Sequence, residues 1–511
     1  MKIDSIMNHL PQEFSTQTPG PIPPVNHPDL PLREKAVLFF NNTALAEEPR
    51  IEDGNLMLPT APLFREAGIS LPADVPAYAA PAYIREALDA EVWWDKPEKC
   101  VVVTCGSEKN CDILRNIGGK LYMNGKPYYE ISFNKFDLKW QLCADKFPHN
   151  EFRRPDQFSR GEEALRQLHE AGFRSIRVFD NILGGPETLF DPDRRRDYFE
   201  VCDRMFDLCD KYEIQVVSCL SLPTDIFCKY LKDESGKYVS DGTNVMDLIC
   251  DPGCPARQHM YEYIDAYVGR YKNRRTILMW EIVNEGNLDA DIGDQIKRTC
   301  YSAAQLGNFY ADCAARIHAV DPDRLVTGGD GLLRSAQWHL YQSVMAGASV
   351  DWNKDTLEDR LNAYWVLHHG VDAISVHGYA VGYPDDAMCR YDRGDGKYET
   401  VTWKLLMEEA RRLGKILYNG ETGDAGVDTD GSIYRNDNPA RAITRDRFLT
   451  EIIEAGVQLS HWWAFHSDRE GFTDDRDWNI CPAVEPNSLA VIAAANQRLR
   501  ARYIINYAAS L

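Results

Sequence analysis

From about residue 120 onward, short apolar segments alternate with amphipathic segments, and this alternation constrains the fold more than any other feature of the sequence. Eight segments have the composition of buried strands: 128–134, 174–179, 214–220, 277–284, 324–328, 372–377, 415–420 and 457–465. Eight segments with helical spacing separate and follow them: 160–171, 197–212, 255–272, 297–319, 355–368, 402–413, 439–456 and 485–501. Strands that alternate with helices indicate a parallel sheet, because each helix carries the chain back across the sheet.

Eight β/α units over nearly 400 residues predict an α/β fold in which residues 121–511 form a (β/α)8 TIM barrel with long loops. A doubly wound open sheet also alternates in this way. That fold usually carries a glycine-rich phosphate loop after its first strand, and neither GxGxxG nor a P-loop occurs here. The barrel is therefore the favoured interpretation.

The first 120 residues have a different pattern. Residues 1–30 are rich in proline and predict an extended arm along the surface. Residues 31–120 predict a small α+β domain, in which EDGNLMLP (52–59), ALDAEVWWD (87–95) and CVVV (100–103) resemble the copper amine oxidase N-terminal-like domain. The resemblance implies a non-catalytic structural or attachment module. The sequence shows no His cluster or quinone-forming Tyr motif, so we expect neither copper nor amine oxidation.

Charge and cysteine usage limit the partners. The formal net charge of −21 argues against a nucleic acid or an anionic membrane as partner. No stretch approaches the ~20 apolar residues of a membrane span, and the first residues lack the apolar run of a signal peptide. We therefore expect a cytoplasmic protein, or an extracellular one if a leader has been removed. The 14 cysteines are scattered and lack zinc-site spacing, so we expect reduced thiols and neither metal nor cofactor.

Two carboxylates stand where a barrel carries its chemistry, at the carboxyl ends of strands. Glu285 follows the fourth predicted strand in WEIVNEG (280–286), and Glu421 follows the seventh in YNGETG (418–423). Glycoside hydrolysis needs two such groups, of which one donates a proton and the other stays ionised. The alternative is a pair of ordinary loop carboxylates.

The surrounding sequence resembles clan A of the glycoside hydrolases, most closely families 5 and 2. The resemblance rests on YKNRRTILMWEIVNE (271–285) and DPDRLVT (321–327) and spans roughly residues 120–470. It implies that Glu285 is the general acid/base, that Glu421 is the nucleophile and that Asn284 binds the sugar 2-hydroxyl. One departure is that the third strand ends in CLSLP (219–223), without the His that family 5 enzymes usually carry there.

The same resemblance assigns further residues to the substrate site. Arg177 is expected beside the nucleophile, which it keeps ionised, and His377 and Tyr379 match the family 5 His-x-Tyr pair, with Tyr379 donating to Glu421. Either Trp462 or Trp463 is expected to form the floor of the −1 subsite, and we favour Trp463. Adjacent strand residues face opposite sides of the barrel wall, so the other Trp belongs to the core.

Several neighbouring side chains have open assignments. Arg177 could instead serve only as a buried ion-pair partner, and His377 could be an ordinary core histidine. For Glu281 we expect a salt bridge inside the barrel. Residues at the same rim that suit either substrate contact or solvent are Asn134, Lys135, Asp137, Asp180 and Asn181.

Together these observations predict a retaining glycoside hydrolase that cleaves β-linked glycosides or oligosaccharides through a glycosyl-enzyme intermediate, with a carbohydrate as its only predicted partner. Two alternatives remain open. One is a catalytically silent carbohydrate-binding barrel, and the other is a transglycosylase that uses the same two glutamates. The sequence leaves the sugar, the linkage, exo or endo action and the oligomeric state undetermined.

Overall fold

The eight predicted strands form a closed parallel barrel in the computed structural model of the chain. The structure describes residues 25–143, 145–147, 157–179, 183–221, 224–292, 301–379, 381, 389–423, 439–466, 480–483 and 486–509. Asp180 and Asn181, two of the candidate rim residues, lie outside these ranges.

The described strands are given in chain order in two groups. The N-terminal strands are β1 Val37–Phe40, β2 Thr43–Ala44, β3 Arg50–Glu52, β4 Asn55–Pro59, β5 Tyr78–Ala79, β6 Glu91–Asp95, β7 Cys100–Thr104, β8 Arg115–Ile117, β9 Lys120–Met123 and β10 Lys126–Pro127. The remaining strands are β11 Glu130–Asn134, β12 Ser175–Phe179, β13 Gln215–Ser221, β14 Leu231–Lys232, β15 Tyr238–Val239, β16 Ile277–Val283, β17 Val326–Thr327, β18 Ala373–His377, β19 Arg390–Asp392, β20 Tyr398–Thr400, β21 Ile416–Thr422 and β22 Leu459–Trp462.

The barrel strands are β11, β12, β13, β16, β17, β18, β21 and β22, in that order, and β22 pairs with β11 to close the ring. Every pair in the ring is parallel. This confirms the predicted (β/α)8 fold. The short hairpins β14–β15 and β19–β20 are antiparallel and lie in the loops between barrel units.

Helices follow the barrel strands close to their predicted positions. The described helices are α1 Thr60–Glu66, α2 Pro81–Leu88, α3 Leu138–Gln141, α4 Gln157–Glu170, α5 Glu187–Phe190, α6 Pro192–Lys211, α7 Val245–Cys250, α8 Pro255–Tyr271, α9 Ala303–Val320, α10 Gln337–Ala346, α11 Leu357–His368, α12 Trp403–Arg412, α13 Pro439–Ala455 and α14 Pro486–Ala509. Several start at a side-chain cap, as sequence signals predict. Ser302 caps α9 and Thr356 caps α11, each in a capping box.

Strands β1 to β7 build two sheets with their own apolar core. One sheet has the order β2-β1-β7-β6 and the other has the order β3-β4-β5. Asp53 and Gly54 connect β3 to β4 with φ values of 49° and 83°, and such Asp-Gly pairs fit the tight turns that match the twist of a hairpin. The buried residues of this core come from segment 38–105 and are distinct from the main barrel core. The boundary at residue 120 and the resemblance of this part remain predictions.

The N-terminal end of the barrel is closed by the sheet β10-β9-β8. Leu114, Leu121 and Tyr128 join a buried apolar cluster with residues from the starts of the barrel strands, such as Leu278 and Leu459. This packing leaves the carboxyl ends of the strands as the open end of the barrel. No helix among the described residues is long and apolar enough to cross a membrane.

Residues 25–30 are the described part of the predicted arm, and they lie against helix α12. The Leu30 amide donates to the Arg412 carbonyl at 2.8 Å, and Arg412 Nε donates to Asp29 Oδ1 at 2.7 Å. Arg115 Nη1, in β8, donates to Asp323 Oδ1 at 2.9 Å, just before β17. The N-terminal part therefore contacts the outer helices and the closed end of the barrel.

Candidate active site

The two predicted glutamates lie together at the open end of the barrel. Glu421 is buried within β21, whose last residue is Thr422, so this strand extends two residues beyond the prediction. Glu285 lies two residues beyond the end of β16, and its side chain is 31% exposed. One carboxylate oxygen of each residue lies within 4.8 Å of the other. The pair therefore combines one enclosed carboxylate with one that solvent reaches.

A bulge in β21 sets the direction of Glu421. Val376 pairs with Asn419, but the next residue of β18, His377, pairs with Glu421, so Gly420 has no partner on that strand. A Cβ atom at Gly420 would lie 3.0 Å from His377 Nε2. Bulges redirect side chains at barrel rims. Here the bulge places Glu421 beside His377, and a glycine is needed for the close packing.

The backbone at Glu285 has an unusual conformation. Its φ is 53° and its ψ is 35°, in the left-handed region that residues other than glycine seldom occupy. Its amide donates to the Gly329 carbonyl at 2.7 Å. A Cβ at Gly329 would lie 1.8 Å from the Val283 carbonyl oxygen. The loop after β17 therefore packs directly against the turn that carries Glu285.

Arg177, in β12, is fully buried and binds both Glu421 and Asn284, the residue before Glu285. Its Nη1 donates to Glu421 Oε1 at 2.7 Å and to Asn134 Oδ1 at 2.9 Å. Its Nη2 donates to Glu281 Oε1 at 2.6 Å and to Asn284 Oδ1 at 2.7 Å, and its Nε donates to the Glu281 carboxylate. All five guanidinium N–H groups have acceptors. The predicted interior salt bridge of Glu281 is present, and Arg177 also contacts the candidate nucleophile.

Charge keeps the donors to Glu421 protonated. Burial disfavours the charge of Arg177, but Glu281 and Glu421 outweigh it and raise the pKa of Arg177 well above its usual value. Tyr379 Oη donates to Glu421 Oε2 at 2.8 Å. Burial, reinforced by Glu421, raises the pKa of Tyr379 well above its usual value. Each oxygen of Glu421 thus accepts a hydrogen bond from a group that keeps its proton.

His377 lies between the two glutamates and is buried. Its Nδ1 is 2.8 Å from Glu285 Oε1 and 3.6 Å from Glu421 Oε2. Its Nε2 is buried without a hydrogen-bond partner, on the side of Gly420. A neutral imidazole that donates from Nδ1 leaves only an acceptor unsatisfied at Nε2. His377 therefore contacts the candidate acid/base directly.

Glu285, His377 and Glu421 also form the one group of three potential metal ligands found within the described ranges, with ligand atoms within 4.8 Å of one another. The Glu421 oxygens already accept bonds from Arg177 and Tyr379. A bound cation would lie close to the fixed positive charge of Arg177. The arrangement suits proton transfer better than metal binding.

Asn284 is held in one orientation. Its Oδ1 accepts from Arg177 Nη2, which leaves the two N–H donors of the amide available to a ligand. Asn134 is fully buried, and besides accepting from Arg177 it donates to the Gly420 carbonyl at 3.0 Å. Asn134 therefore supports the bulge of β21 from inside the barrel.

Trp462 and Trp463 differ in burial. Trp462 is fully buried in the main core, whereas Trp463 is half-buried and stacks on Phe136, with ring centroids 4.7 Å apart and planes at 11°. Phe136 also packs edge-on against Trp140. The sequence analysis missed Phe136 and Trp140, although both belong to the loop and helix after β11. Phe179 completes this cluster, 5.8 Å from Trp463.

The remaining rim residues have structural contacts. Lys135 is buried and pairs with Asp137, which also accepts from Gln141 Nε2 at 3.1 Å. His466 Nδ1 lies 3.7 Å from Asp137 Oδ2. In β13, Cys219 packs under Phe136 and Phe179 near the place where the resemblance leads one to expect a His. The loop residues 222–223 lie outside the described ranges.

Comparison with known proteins gives one curated relative and several structures of the same fold. Mannan endo-1,4-beta-mannosidase 8 from Oryza sativa subsp. japonica is 22% identical over 408 residues, which cover 74% of this chain and 96% of that protein. The glycoside hydrolase family 5 mannosidase from Rhizomucor miehei has a TM-score of 0.50 at 14% identity, over 78% of this chain and 99% of that one. This likeness shows the fold. No protein-family model matches the chain.

Proposed function

We propose that this chain is a retaining glycoside hydrolase that cleaves β-linked glycosides by double displacement. One observation carries the proposal: carboxylate oxygens of Glu285 and Glu421 lie within 4.8 Å at the open end of a barrel. Retaining enzymes hold their two carboxyl groups about 5–5.5 Å apart, whereas inverting enzymes need about 6.5–9.5 Å to admit a water. The observed spacing supports retention.

Glu421 acts as the nucleophile. Arg177 and Tyr379 each donate to one of its oxygens, which places positive charge beside the carboxylate and fixes the direction of attack. The carboxylate attacks the anomeric carbon, a C–O bond forms to Glu421, and the glycosidic C–O bond breaks with its electron pair on the leaving oxygen. Burial of Glu421 strengthens these interactions, because water no longer competes for them.

Glu285 acts as the acid and then as the base. Its exposed carboxyl protonates the leaving oxygen in the first step. In the second step it removes a proton from the water that attacks the anomeric carbon and releases Glu421. His377 Nδ1, at 2.8 Å, holds one Glu285 oxygen in place through both steps. Asn284 binds the sugar 2-hydroxyl, a contact that strengthens in the oxocarbenium-like transition state.

We propose β-mannosides and β-1,4-linked manno-oligosaccharides as the first substrates to test. The curated relative is named as an enzyme of β-1,4-mannan, and it aligns along 96% of its own length. The stack of Trp463 on Phe136 offers an aromatic face on which a pyranose ring can pack. We regard residues 31–120 as a non-catalytic module.

The experiment compares Glu421→Ala and Glu285→Ala with wild type on aryl β-mannosides, aryl β-glucosides and manno-oligosaccharides. General acid–base catalysis contributes about 10²- to 10⁴-fold, so each variant should lose at least that much on an unactivated substrate. NMR of the first-formed sugar should show the β-anomer. The control is Glu408→Ala, since Glu408 lies on α12 and pairs with Arg411.

Different results would identify a different function. Near wild-type turnover in either catalytic variant overturns the assignment of that residue. First release of the α-anomer overturns retention. Binding of mannan without turnover by the wild-type protein indicates a carbohydrate-binding barrel, and longer oligosaccharide products indicate transglycosylation.

A further inference from the structure

The turn that carries Glu285 is enclosed by buried polar side chains for which the reaction itself has no use. The turn comprises residues 286–290 and begins with a short 3-10 segment. It packs on the loop 328–336 that follows β17. Glu285 precedes this turn in a left-handed conformation, so the surroundings must hold it there. The inference below rests on the proposed role of Glu285.

Asn287 forms the central contact between the turn and the loop. It is fully buried, its Nδ2 donates to the Gly331 carbonyl at 3.0 Å, and its Oδ1 accepts from the Gly331 amide at 2.8 Å. The side-chain amide of Asn287 thus pairs with the backbone of Gly331 as a neighbouring β-strand would. Gly331 is also close to the catalytic carboxylate, since a Cβ there would lie 3.6 Å from Glu285 Oε1. Asn287 therefore sets the distance between the loop and Glu285.

Asp330 binds the backbone of the same turn. Its Oδ1 accepts from the backbone N–H of Asn287 at 3.2 Å and from Tyr310 Oη at 2.6 Å. Burial, reinforced by Asp330, raises the pKa of Tyr310 well above its usual value, so the phenol stays a donor. His368 Nε2 lies 3.1 Å from Asp330 Oδ2. Asp330 thus fixes the backbone of Asn287.

Arg334 binds the carbonyl oxygens of the turn. Its Nη1 donates to the carbonyls of Asn287 at 3.1 Å and Ala290 at 3.4 Å, and its Nη2 donates to the carbonyl of Leu288. Burial lowers the pKa of Arg334, and Asp291 partly opposes this effect. A buried arginine that binds mainly backbone carbonyls restrains a loop through several bonds at once.

We propose that Asn287 is a positioning residue for the acid/base Glu285, and that Asn287, Asp330 and Arg334 act together as a clamp on the turn 286–290. The clamp holds the protonated carboxyl of Glu285 at the leaving oxygen. It touches neither Glu421 nor Arg177 among its hydrogen-bond partners. Loss of the clamp therefore impairs proton donation and leaves nucleophilic attack intact.

This separation gives a kinetic signature. A 2,4-dinitrophenyl glycoside loses a phenolate that is stable without a proton, whereas a phenyl glycoside needs protonation by Glu285. For Asn287→Ala we expect kcat/KM to fall by up to about 100-fold on phenyl β-mannoside, because small displacements of a catalytic group are costly. The value on 2,4-dinitrophenyl β-mannoside should stay close to that of wild type.

The matched control is Asp321→Asn. Asp321 is also buried in the fourth and fifth β/α units, where it accepts from Trp280 Nε1 and Arg324 Nη1, each at 2.9 Å. Those contacts lie at the closed end of the barrel. This variant should lower the melting temperature while leaving the ratio of the two kcat/KM values unchanged. Glu285→Ala serves as the reference for complete loss of the acid.

Each outcome decides the question. If kcat/KM of Asn287→Ala falls equally on both substrates, or falls on neither, the clamp is not a positioning device. If Asn287→Ala does not fold, Arg334→Lys takes its place, since one ammonium nitrogen cannot occupy the two positions from which Nη1 and Nη2 bind the three carbonyls. The same two results then overturn the proposal. A wild-type protein without activity on any glycoside overturns the proposed function itself, whereas a leaving-group effect in Glu285→Ala but not in the clamp variants overturns the clamp alone.

Discussion

Arg177 and Glu421 form a buried ion pair, with 2.7 Å between Nη1 and Oε1, and Glu281 pairs with the opposite edge of the same guanidinium. A lone buried carboxylate would tend to take up a proton, since burial disfavours its charge. The guanidinium of Arg177 places one positive charge between two carboxylates. Because it also binds Asn134 and Asn284, it links the proposed nucleophile to the residue before the proposed acid/base.

We predict that Arg177→Lys abolishes most activity although it keeps the positive charge. A lysine is a point charge and cannot donate to Glu421, Glu281 and the two asparagines together. The expected fall in kcat on β-mannosides is on the order of 100-fold. The measurement is steady-state kinetics with a parallel thermal melt.

Arg360→Lys is the control for that substitution. Arg360 is also fully buried, and it forms a two-point pair with Glu409 between α11 and α12, away from the site. This variant should lose stability and retain kcat. A similar loss of kcat in both variants would mean that Arg177 acts only through stability.

Tyr379→Phe should reduce kcat by about 10- to 100-fold. The variant removes the 2.8 Å hydrogen bond to Glu421 Oε2, and a bond to a charged group contributes about 1.5–3 kcal/mol. Tyr364→Phe is the control, because Tyr364 is also buried and lies on α11, outside the candidate site. Unchanged kcat in Tyr379→Phe would contradict the proposed role.

The elements that the sequence predicts well are those with a local signal. Strand periodicity located all eight barrel strands. Glu285 and Glu421 were selected because active sites of such barrels lie at the carboxyl ends of the strands. The bulge at Gly420 was not predictable, because it depends on how two strands pair. The same holds for the stack of Phe136 on Trp463, whose residues are far apart in sequence. Asn287 directly follows the segment WEIVNEG (280–286), but only the folded structure shows that it binds Gly331.

Trp463→Ala should weaken substrate binding with little effect on the fold. Trp463 is half-buried and stacks on Phe136, and the proposed function assigns its exposed part to contact with the sugar. Aromatic contacts contribute about 0.5–1.5 kcal/mol beyond buried area, so we expect kcat/KM to fall on the order of tenfold. Trp462→Ala should instead lower the melting temperature strongly, because that ring is fully buried. If Trp463→Ala leaves KM and kcat/KM unchanged, the subsite assignment is wrong.

Substitution by alanine should destabilise the protein at one glycine of the loop after β17 and have little effect on stability at another. Gly329 has a φ of 93° and a Cβ there would lie 1.8 Å from the Val283 carbonyl oxygen, so Gly329→Ala should destabilise the barrel and displace Glu285. Gly331 has room, since the nearest atoms to its Cβ lie 3.4–3.6 Å away. Gly331→Ala should therefore fold normally. Thermal melts of both variants test this contrast, and equal stability would contradict the close packing at Gly329.

Two histidines should give opposite pH dependences of stability. Burial, together with Arg177, lowers the pKa of His461 to about 3, and its ring nitrogens contact Tyr418 Oη and Ser175 Oγ. Below the unfolded pKa of about 6.5, the unfolded chain takes up a proton at this residue and the folded chain does not. The free energy of unfolding of wild type relative to His461→Gln should therefore fall as pH falls from 6.5 to 5, by up to about 1.4 kcal/mol per unit.

His318 is the matched control with the reverse sign. Its Nε2 lies 3.1 Å from Asp372 Oδ2, and this hydrogen bond raises the pKa of His318. The folded chain then binds the proton more tightly than the unfolded chain, so this contribution is complete below pH 6.5 and is lost as pH rises through the raised value. Relative to His318→Gln, wild type should become more stable as pH falls from the raised pKa to 6.5, and its relative stability should stay constant below that. Urea unfolding of the three proteins at several pH values measures both slopes, and parallel slopes for the two variants would show that His461 does not stay neutral in the folded barrel.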